Sequence, residues 1–201
     1  MPAILAESAA RAGLAMKLNL GCGQNKVPGY LNVDKYPACE PDQVVDLEVF
    51  PWPFADNSVT EVLLTHVLEH LGQQTETFFG IMKELYRVLV PGGKVMIRVP
   101  HPRSEGFLGD PTHVRPISPL VMTLFSKRLN REWKQKGWPN TPLGLYLDID
   151  FEIVSTGVTL TPRWLQQFQS GALSIEQINA AIEMHHNVVD EVQIELKKVA
   201  A

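Results

Sequence analysis

Three groups of residues have the types and spacing to do chemistry. The first is the turn Gly21-Cys22-Gly23 followed by Asp34. Leu18 and Leu20 belong to a short apolar run that stops at the turn, and Leu31 and Val33 lead a second run to Asp34. Paired glycines at a strand end let backbone N–H groups approach a ligand with no side chain in the way. In open α/β sheets the ligand lies beyond the carboxyl ends of the strands, where strand order reverses. An acid at that edge accepts hydrogen bonds from ribose hydroxyls, so turn and acid together suit a nucleoside. The second group is His66-Val67-Leu68-Glu69-His70, spaced as H-x-x-E-H. The third is the stretch 100–116, which holds His101, Asp110, His113 and Arg115 among prolines and glycines.

The nucleoside is narrowed by exclusion. A dinucleotide site needs G-x-G-x-x-G and an acid about 20 residues on. Here Lys26 stands where the third glycine belongs, and Asp34 follows too closely. No turn matches the phosphate-binding G-x-x-x-x-G-K-[ST] pattern either. A turn that need not cradle a pyrophosphate fits a ligand without phosphates. H-x-x-E-H also occurs in zinc peptidases. Two histidines four apart share a face only on a helix, however, and His66 ends an apolar, strand-like run. With no further zinc carboxylate downstream and no metal-like spacing of the two cysteines, Cys22 and Cys39, no metal is expected.

LNLGCG, the acid at Asp34, HVLEHL and VLVPGGKVMIRVP together resemble the class I S-adenosylmethionine-dependent methyltransferases, and among them the small bacterial type 11-like members. The likeness covers 17–116 well and the rest by strand pattern. It implies a three-layer, Rossmann-like α/β fold with a mostly parallel seven-stranded sheet and an antiparallel last strand. It implies S-adenosyl-L-methionine as cofactor and S-adenosyl-L-homocysteine as product. Matched residue by residue, Gly21, Cys22 and Gly23 would line the methionine and ribose portion. Asp34 would hold the ribose hydroxyls, and Asp46 with Leu47 the adenine. His66 would sit beside the sulfonium, as cofactor contact or catalytic group. His101, Asp110, His113 and Arg115 would meet the acceptor. Arg115 could pair with an acceptor carboxylate or phosphate through its planar fork, with His113 as hydrogen-bond partner or base. The expected reaction is in-line methyl transfer to a small, anionic molecule. Two other readings remain: a non-catalytic S-adenosylmethionine-binding subunit, and a zinc hydrolase built on H-x-x-E-H.

The elements that must position these groups follow from pattern. The connection 23–30 is too short for the usual crossover helix, so a one-turn stub around 24–27 is expected. A third strand is expected over 43–47. The prolines of Phe50-Pro51-Trp52-Pro53-Phe54 make a stiff loop whose aromatics would cover a pocket wall. Residues 59–65 read as a strand buried on both faces. Phe78, Ile81, Met82, Leu85 and Leu89 form one helical stripe, with Glu84 and Arg87 opposite and Pro91-Gly92-Gly93 as the stop. The strand 95–99 follows, then the loop 100–116. One helix is expected from Ser118-Pro119 to about Gln135, with Leu120, Leu124 and Trp133 inward. The strand 151–160, a helix after Thr161-Pro162, a capping box at Ser174 and Gln177, and a strand around 192–197 complete the chain.

A chain of 201 residues has room for one domain with a real core. The expected division is an arm or helix over 1–16 and a methyltransferase domain over 17–201, with a loop-and-helix insertion at 100–150 and a helical one at 161–186. Net charge −4 argues against bulk affinity for nucleic acid or an anionic membrane. Two cysteines and no long apolar run suit a cytoplasmic monomer or homodimer.

Overall fold

The computed structural model describes residues 16–200. The arm expected over 1–16 lies outside the described residues, save for Met16, which opens the first strand. Seven strands form one sheet: β1 (Met16–Leu20), β2 (Leu31–Asp34), β3 (Gln43–Val44), β4 (Val59–Thr65), β5 (Leu89–Pro100), β6 (Phe151–Leu160) and β7 (Val189–Lys198). Their order is β3-β2-β1-β4-β5-β7-β6. β1 to β5 run parallel, and β7 lies antiparallel to both β5 and β6. Strand order reverses between β1 and β4, so their carboxyl ends flank a crevice. Because β7 runs the other way, its beginning reaches the same edge, where Glu191 lies opposite Pro100.

The sheet centre is apolar: Leu18, Leu20, Val33, Val62, Leu64, Val95 and Ile97 are all buried. Helix α1 (Thr75–Val88) lays Phe78, Ile81, Met82, Leu85 and Val88 into this core. Each such side chain contributes about 1.5–3 kcal/mol when removed from water. Glu84, expected on the wet face, is buried as well. Its carboxylate accepts the Trp52 N–H at 2.6 Å and Arg87 Nη2 at 2.7 Å. Trp52 and Phe54 go into the core beside it, so the proline-rich loop packs the helix rather than covering a pocket. Leu63 in β4 is only half-buried, so one face of that strand is less closed than its apolar centre suggests.

Several element boundaries depart from the sequence reading, each for a visible reason. No helical stub forms after β1. The connection is instead folded around Asn19 and Asn32, both buried. Asn19 Nδ2 donates to Asn32 Oδ1 and to the Asn25 carbonyl, each at 2.9 Å, and the Val27 N–H donates to Asn32 Oδ1 at 2.8 Å. Asp42 accepts from the Asn32 backbone at 2.7 Å and side chain at 2.9 Å. β3 ends at Val44, leaving Asp46 and Leu47 in the turn beyond it. α1 ends at Val88, before Pro91-Gly92-Gly93, because Leu89 already pairs with Val59 in the sheet.

The stretch 100–116 contains a short helix, α2 (Glu105–Leu108), capped by Ser104. The single helix expected after Ser118 is two, α3 (Pro119–Thr123) and α4 (Lys127–Lys136). They part because the Leu124 carbonyl accepts from Gly144 N–H at 2.9 Å and the Phe125 carbonyl from Phe151 N–H at 3.0 Å. Ser126 then caps a new start. Leu120 is exposed, while Trp133 is buried as expected. After a short α5 (Leu143–Tyr146) comes β6; α6 (Pro162–Gln169) and α7 (Ile175–Met184, with its capping box) fill the connection to β7. Among the described residues no helix is long and apolar enough to cross a membrane.

Candidate active site

Two clefts meet at the carboxyl edge of the sheet, and His66 lines both. The first is lined by Gly21, Asp34, Lys35, Tyr36, Val45, Asp46, Leu47, His66, Val67, His70 and Leu71. The second is lined by His66, Glu69, His70, Pro100, Gly106, Asp110, His113, Asp190 and Glu191.

The first cleft is built from strand ends. Gly21 follows β1 with φ +66°, and a Cβ there would lie 2.5 Å from Val67 Cγ2, so both backbone and space require glycine. A Cβ on Gly23 would meet nothing within 4 Å, which leaves the space over the turn open. Asp34 ends β2, and each of its oxygens accepts one backbone N–H: Gly23 at 2.8 Å and Tyr36 at 2.9 Å. A carboxylate oxygen has capacity for a further donor, so a fixed, nearly buried carboxylate is left to receive hydroxyls. Val45, Leu47, Val67 and Leu71 supply apolar walls, with Asp46 exposed beyond them. Asp46 holds its own turn by accepting the Glu48 N–H at 2.9 Å. These carboxylate acceptors and apolar walls fit a ribose and a flat base. Cys22 departs from expectation: its side chain is buried, its N–H donates to the Val33 carbonyl at 2.9 Å, and it does not line the cleft.

The second cleft joins residues far apart in the chain. His66 leaves β4 with φ 54°, a left-handed conformation that is strained for a non-glycine residue. Its Nε2 lies 2.6 Å from Glu191 Oε1, and its Nδ1 3.5 Å from Glu69 Oε1. A carboxylate only accepts, so Glu191 holds a proton on Nε2 and leaves Nδ1 as the lone-pair nitrogen. His113 is wedged between Phe107, stacked at 5.2 Å, and His70, edge-on at 4.5 Å. Its Nδ1 lies 2.8 Å from the Phe107 carbonyl. Asp110 sits 3.8 Å from His113 Nε2. Glu69, in the turn between β4 and α1, is fully buried. Burial pushes its carboxyl up, and the nearness of its own backbone N–H and of the imidazoles of His70, His66 and His113 pulls it back only in part.

Two predicted acceptor residues lie elsewhere. His101 opens onto a different cleft, with Arg103, Ser118, Gly157 and Val192. There its Nδ1 accepts the Arg103 N–H at 3.1 Å, and burial followed by the Arg103 charge holds its pKa below the ordinary histidine value. Arg115 lines neither cleft of the site. Its guanidinium stacks 4.4 Å over the Phe78 ring and donates to the Gly72 carbonyl at 2.8 Å. It clamps the loop to α1 rather than meeting a ligand. Conversely, Glu69, His70, Asp190 and Glu191 reach the site without having been singled out as ligand contacts. For His70 and Glu69 the H-x-x-E-H spacing was the available signal. Glu191 carried none, because it alternates with apolar residues as any wet strand position does.

Residues 31–97 match the family model described as a methyltransferase domain. That segment spans β2 to β5 and carries Asp34, His66 and most of the first cleft, but only His66, Glu69 and His70 of the second. This segment is similar to a methyltransferase domain, and the chain shares its fold with S-adenosylmethionine-dependent methyltransferases. Solved structures agree on the fold. A SAM-dependent methyltransferase from Archaeoglobus fulgidus superposes with TM-score 0.60 at 18% identity, covering 98% of this chain and 95% of the other. An S-adenosylmethionine-dependent methyltransferase assigned in Listeria monocytogenes gives TM-score 0.53 at 14% identity, covering 92% of each. The 1,6-didemethyltoxoflavin-N1-methyltransferase of Burkholderia thailandensis, with 1,6-didemethyltoxoflavin and S-adenosylhomocysteine bound, gives 0.51 at 12% identity over 99% of this chain and 76% of its own. No curated protein matches the sequence. The matched segment marks the chain as a methyltransferase, and the nucleoside-shaped first cleft suits S-adenosylmethionine, the cofactor named for these structural neighbours.

Proposed function

We propose that this methyltransferase transfers the methyl group to a small molecule held in the second cleft, with Asp34, Gly21, Asp46 and Leu47 holding the cofactor in the first. The carrying observation is that the two clefts share a wall, made of His66 and His70, at the sheet edge where the strand order reverses. When bound, S-adenosylmethionine supplies an electrophilic methyl group, so the protein's main task is to orient the acceptor and exclude water. His66 faces the junction and takes the acceptor's proton on Nδ1 when the acceptor carries one, while Glu191 fixes its tautomer and balances the imidazolium. The acceptor atom gains the methyl, and the electron pair of the broken S–CH3 bond stays on sulfur in S-adenosylhomocysteine. His113 and Asp110 shape the far side of the acceptor space. The structural neighbour with a bound heteroaromatic small molecule supports the size class.

The charge of the acceptor is argued by the lining. Glu69, Asp110, Asp190 and Glu191 face the second cleft, and among the described residues no lysine or arginine lines it. With Arg115 committed to Phe78 and Gly72, only imidazoles, and no guanidinium or ammonium among the described residues, would meet an anion there. A neutral or cationic small molecule fits these side chains alone; an anionic one needs a bound cation.

The test is S-adenosylhomocysteine release over a panel of amine, hydroxyl and carboxylate acceptors, with His66→Ala and Glu191→Gln beside the parent. Both variants should keep S-adenosylhomocysteine affinity within a few-fold. Turnover should fall about 10²–10⁴-fold in His66→Ala, the usual range for a general base, and less in Glu191→Gln. Full turnover in both variants with every acceptor used by the parent would refute the assignment.

A further inference from the structure

We propose that Glu69, His70 and His113 form a divalent-cation site in the acceptor cleft, and that the cation holds an acceptor through oxygen. The proposal rests on the acceptor placement above. One ligand atom from each of the three residues lies within 4.8 Å of the others, close enough for a single ion between them. The Glu69 side chain is completely buried, yet neither carboxylate oxygen has a hydrogen-bond partner. A buried, unpartnered carboxylate is costly. The groups around it are imidazoles, which a cation would join to it.

The hydrogen bonds leave both imidazoles in the form a metal takes. The Phe107 carbonyl can only accept, so His113 Nδ1 carries the proton and Nε2 keeps its lone pair. Thr112 Oγ1 donates to Asp110 Oδ1 at 2.6 Å, and therefore accepts from His70 Nδ1 at 2.9 Å. His70 Nε2 is left free in the same way. A histidine that gives its other N–H to a carbonyl, or through a hydroxyl to a carboxylate, matches the outer support that metal-bound histidines have. The fold supplies the rigidity. The Glu69 backbone carbonyl accepts from Val114 and Arg115 N–H groups at 2.8 and 3.2 Å, which pins the His113 loop against the Glu69 turn. The H-x-x-E-H spacing thus contributes its last two residues, and the third ligand comes from the loop after β5. His66 stays with Glu191.

Two imidazoles and one carboxylate leave coordination positions open to the cleft. The N/O set suits Zn²⁺, Mn²⁺, Fe²⁺ or Co²⁺ over the all-oxygen cations. An ion there would take an acceptor hydroxyl beside a second oxygen, such as a neighbouring carboxylate, and lower the hydroxyl's pKa. It would also supply the positive charge that the acid-lined cleft lacks. The substrate class is then a small molecule presenting adjacent oxygens.

The test uses the full chain, stripped with chelator, dialysed, and titrated with Mn²⁺ and with Zn²⁺. Calorimetry and elemental analysis read the metal, and paramagnetic resonance reads bound Mn²⁺. A single site per chain is expected in the parent. It should be weakened about 10–100-fold or more in His113→Ala and His70→Ala, and unchanged in His101→Ala. Glu69→Gln tests the buried carboxylate. If that variant fails to fold, the two histidine variants carry the conclusion, with circular dichroism as the folding check. S-adenosylhomocysteine affinity, measured on the same samples, separates the two ideas. Cofactor binding without any cation site, or a cation site indifferent to His70 and His113, overturns this proposal and leaves the methyltransferase reading standing.

Discussion

In the proposed cofactor cleft, Asp34 has two tasks. It touches the ligand space and also fastens the glycine turn, through the Gly23 and Tyr36 N–H groups. Asp34→Ala should weaken S-adenosylhomocysteine binding by about 1.5–3 kcal/mol, the range for a hydrogen bond to a charged group. Asp46→Ala should cost clearly less, because that carboxylate is exposed and water competes for it. Calorimetry on the two variants decides the order; equal losses would mean that the turn, not the carboxylate, does the binding. Gly21, Asp34 and His66 are legible in the sequence as residues at strand ends, and all three line the first cleft. Glu191 is not, since its partner His66 lies 125 positions away and only the pairing of β5 with β7 brings them together. Arg115 misled because a guanidinium in a polar loop reads as a ligand group, whereas here the Phe78 face and the Gly72 carbonyl claim it.

Among the elements, the connection from β1 to β2 is the unusual one. Parallel neighbours are normally joined by a helix, whose backbone satisfies itself. A loop that omits the helix must find partners for its N–H and C=O groups elsewhere. Asn19 and Asn32 supply them, with Asp42 anchoring Asn32. Asn32→Ala should therefore lower the unfolding free energy in urea by about 3 kcal/mol or more, given about 1–3 kcal/mol for each buried donor left unsatisfied. A loss under about 1 kcal/mol would mean that water takes over these bonds. The shortness of the connection is visible in the sequence, but its asparagine bracing is not, because two asparagines on neighbouring strands look like ordinary polar positions. The long amphipathic α1 was legible for the opposite reason: its stripe reports the core directly. The break between α3 and α4 was hidden, since it is made by Gly144 and Phe151 reaching back to the carbonyls of Leu124 and Phe125.

For the whole molecule, one bond that spans three strands contributes to stability against pH on both flanks. Tyr30, just before β2, donates its hydroxyl to Glu61 on β4, and Glu61 also pairs with Lys17 on β1 at 2.9 Å. Burial, with the Glu61 hydrogen bond and charge added, pushes the Tyr30 pKa from 10.0 to about 12. The same hydrogen bond leads the effects that hold Glu61 below the ordinary glutamate value. The signs follow from linkage. A tyrosine whose folded pKa is raised contributes stability that is fully present below pH 10 and is lost as pH climbs toward 12. A glutamate whose folded pKa is lowered contributes stability present above its unfolded pKa and lost as pH falls through the folded one. One bond thus shapes both flanks of the stability profile. Alkaline loss is not Tyr30's alone, because Lys94, raised by its bond to Glu195, loses its pairing in the same direction. Tyr30→Phe separates them. The variant should be less stable than the parent at pH 8, and its further decline between pH 10 and 12 should be shallower, with the lysine contribution remaining. On the acid side its decline should flatten less, since Lys17 still faces Glu61. Urea unfolding at closely spaced pH values measures all three. An alkaline slope identical to the parent's would show that Tyr30 titrates alike in the folded and unfolded chain, and would remove this bond from the account.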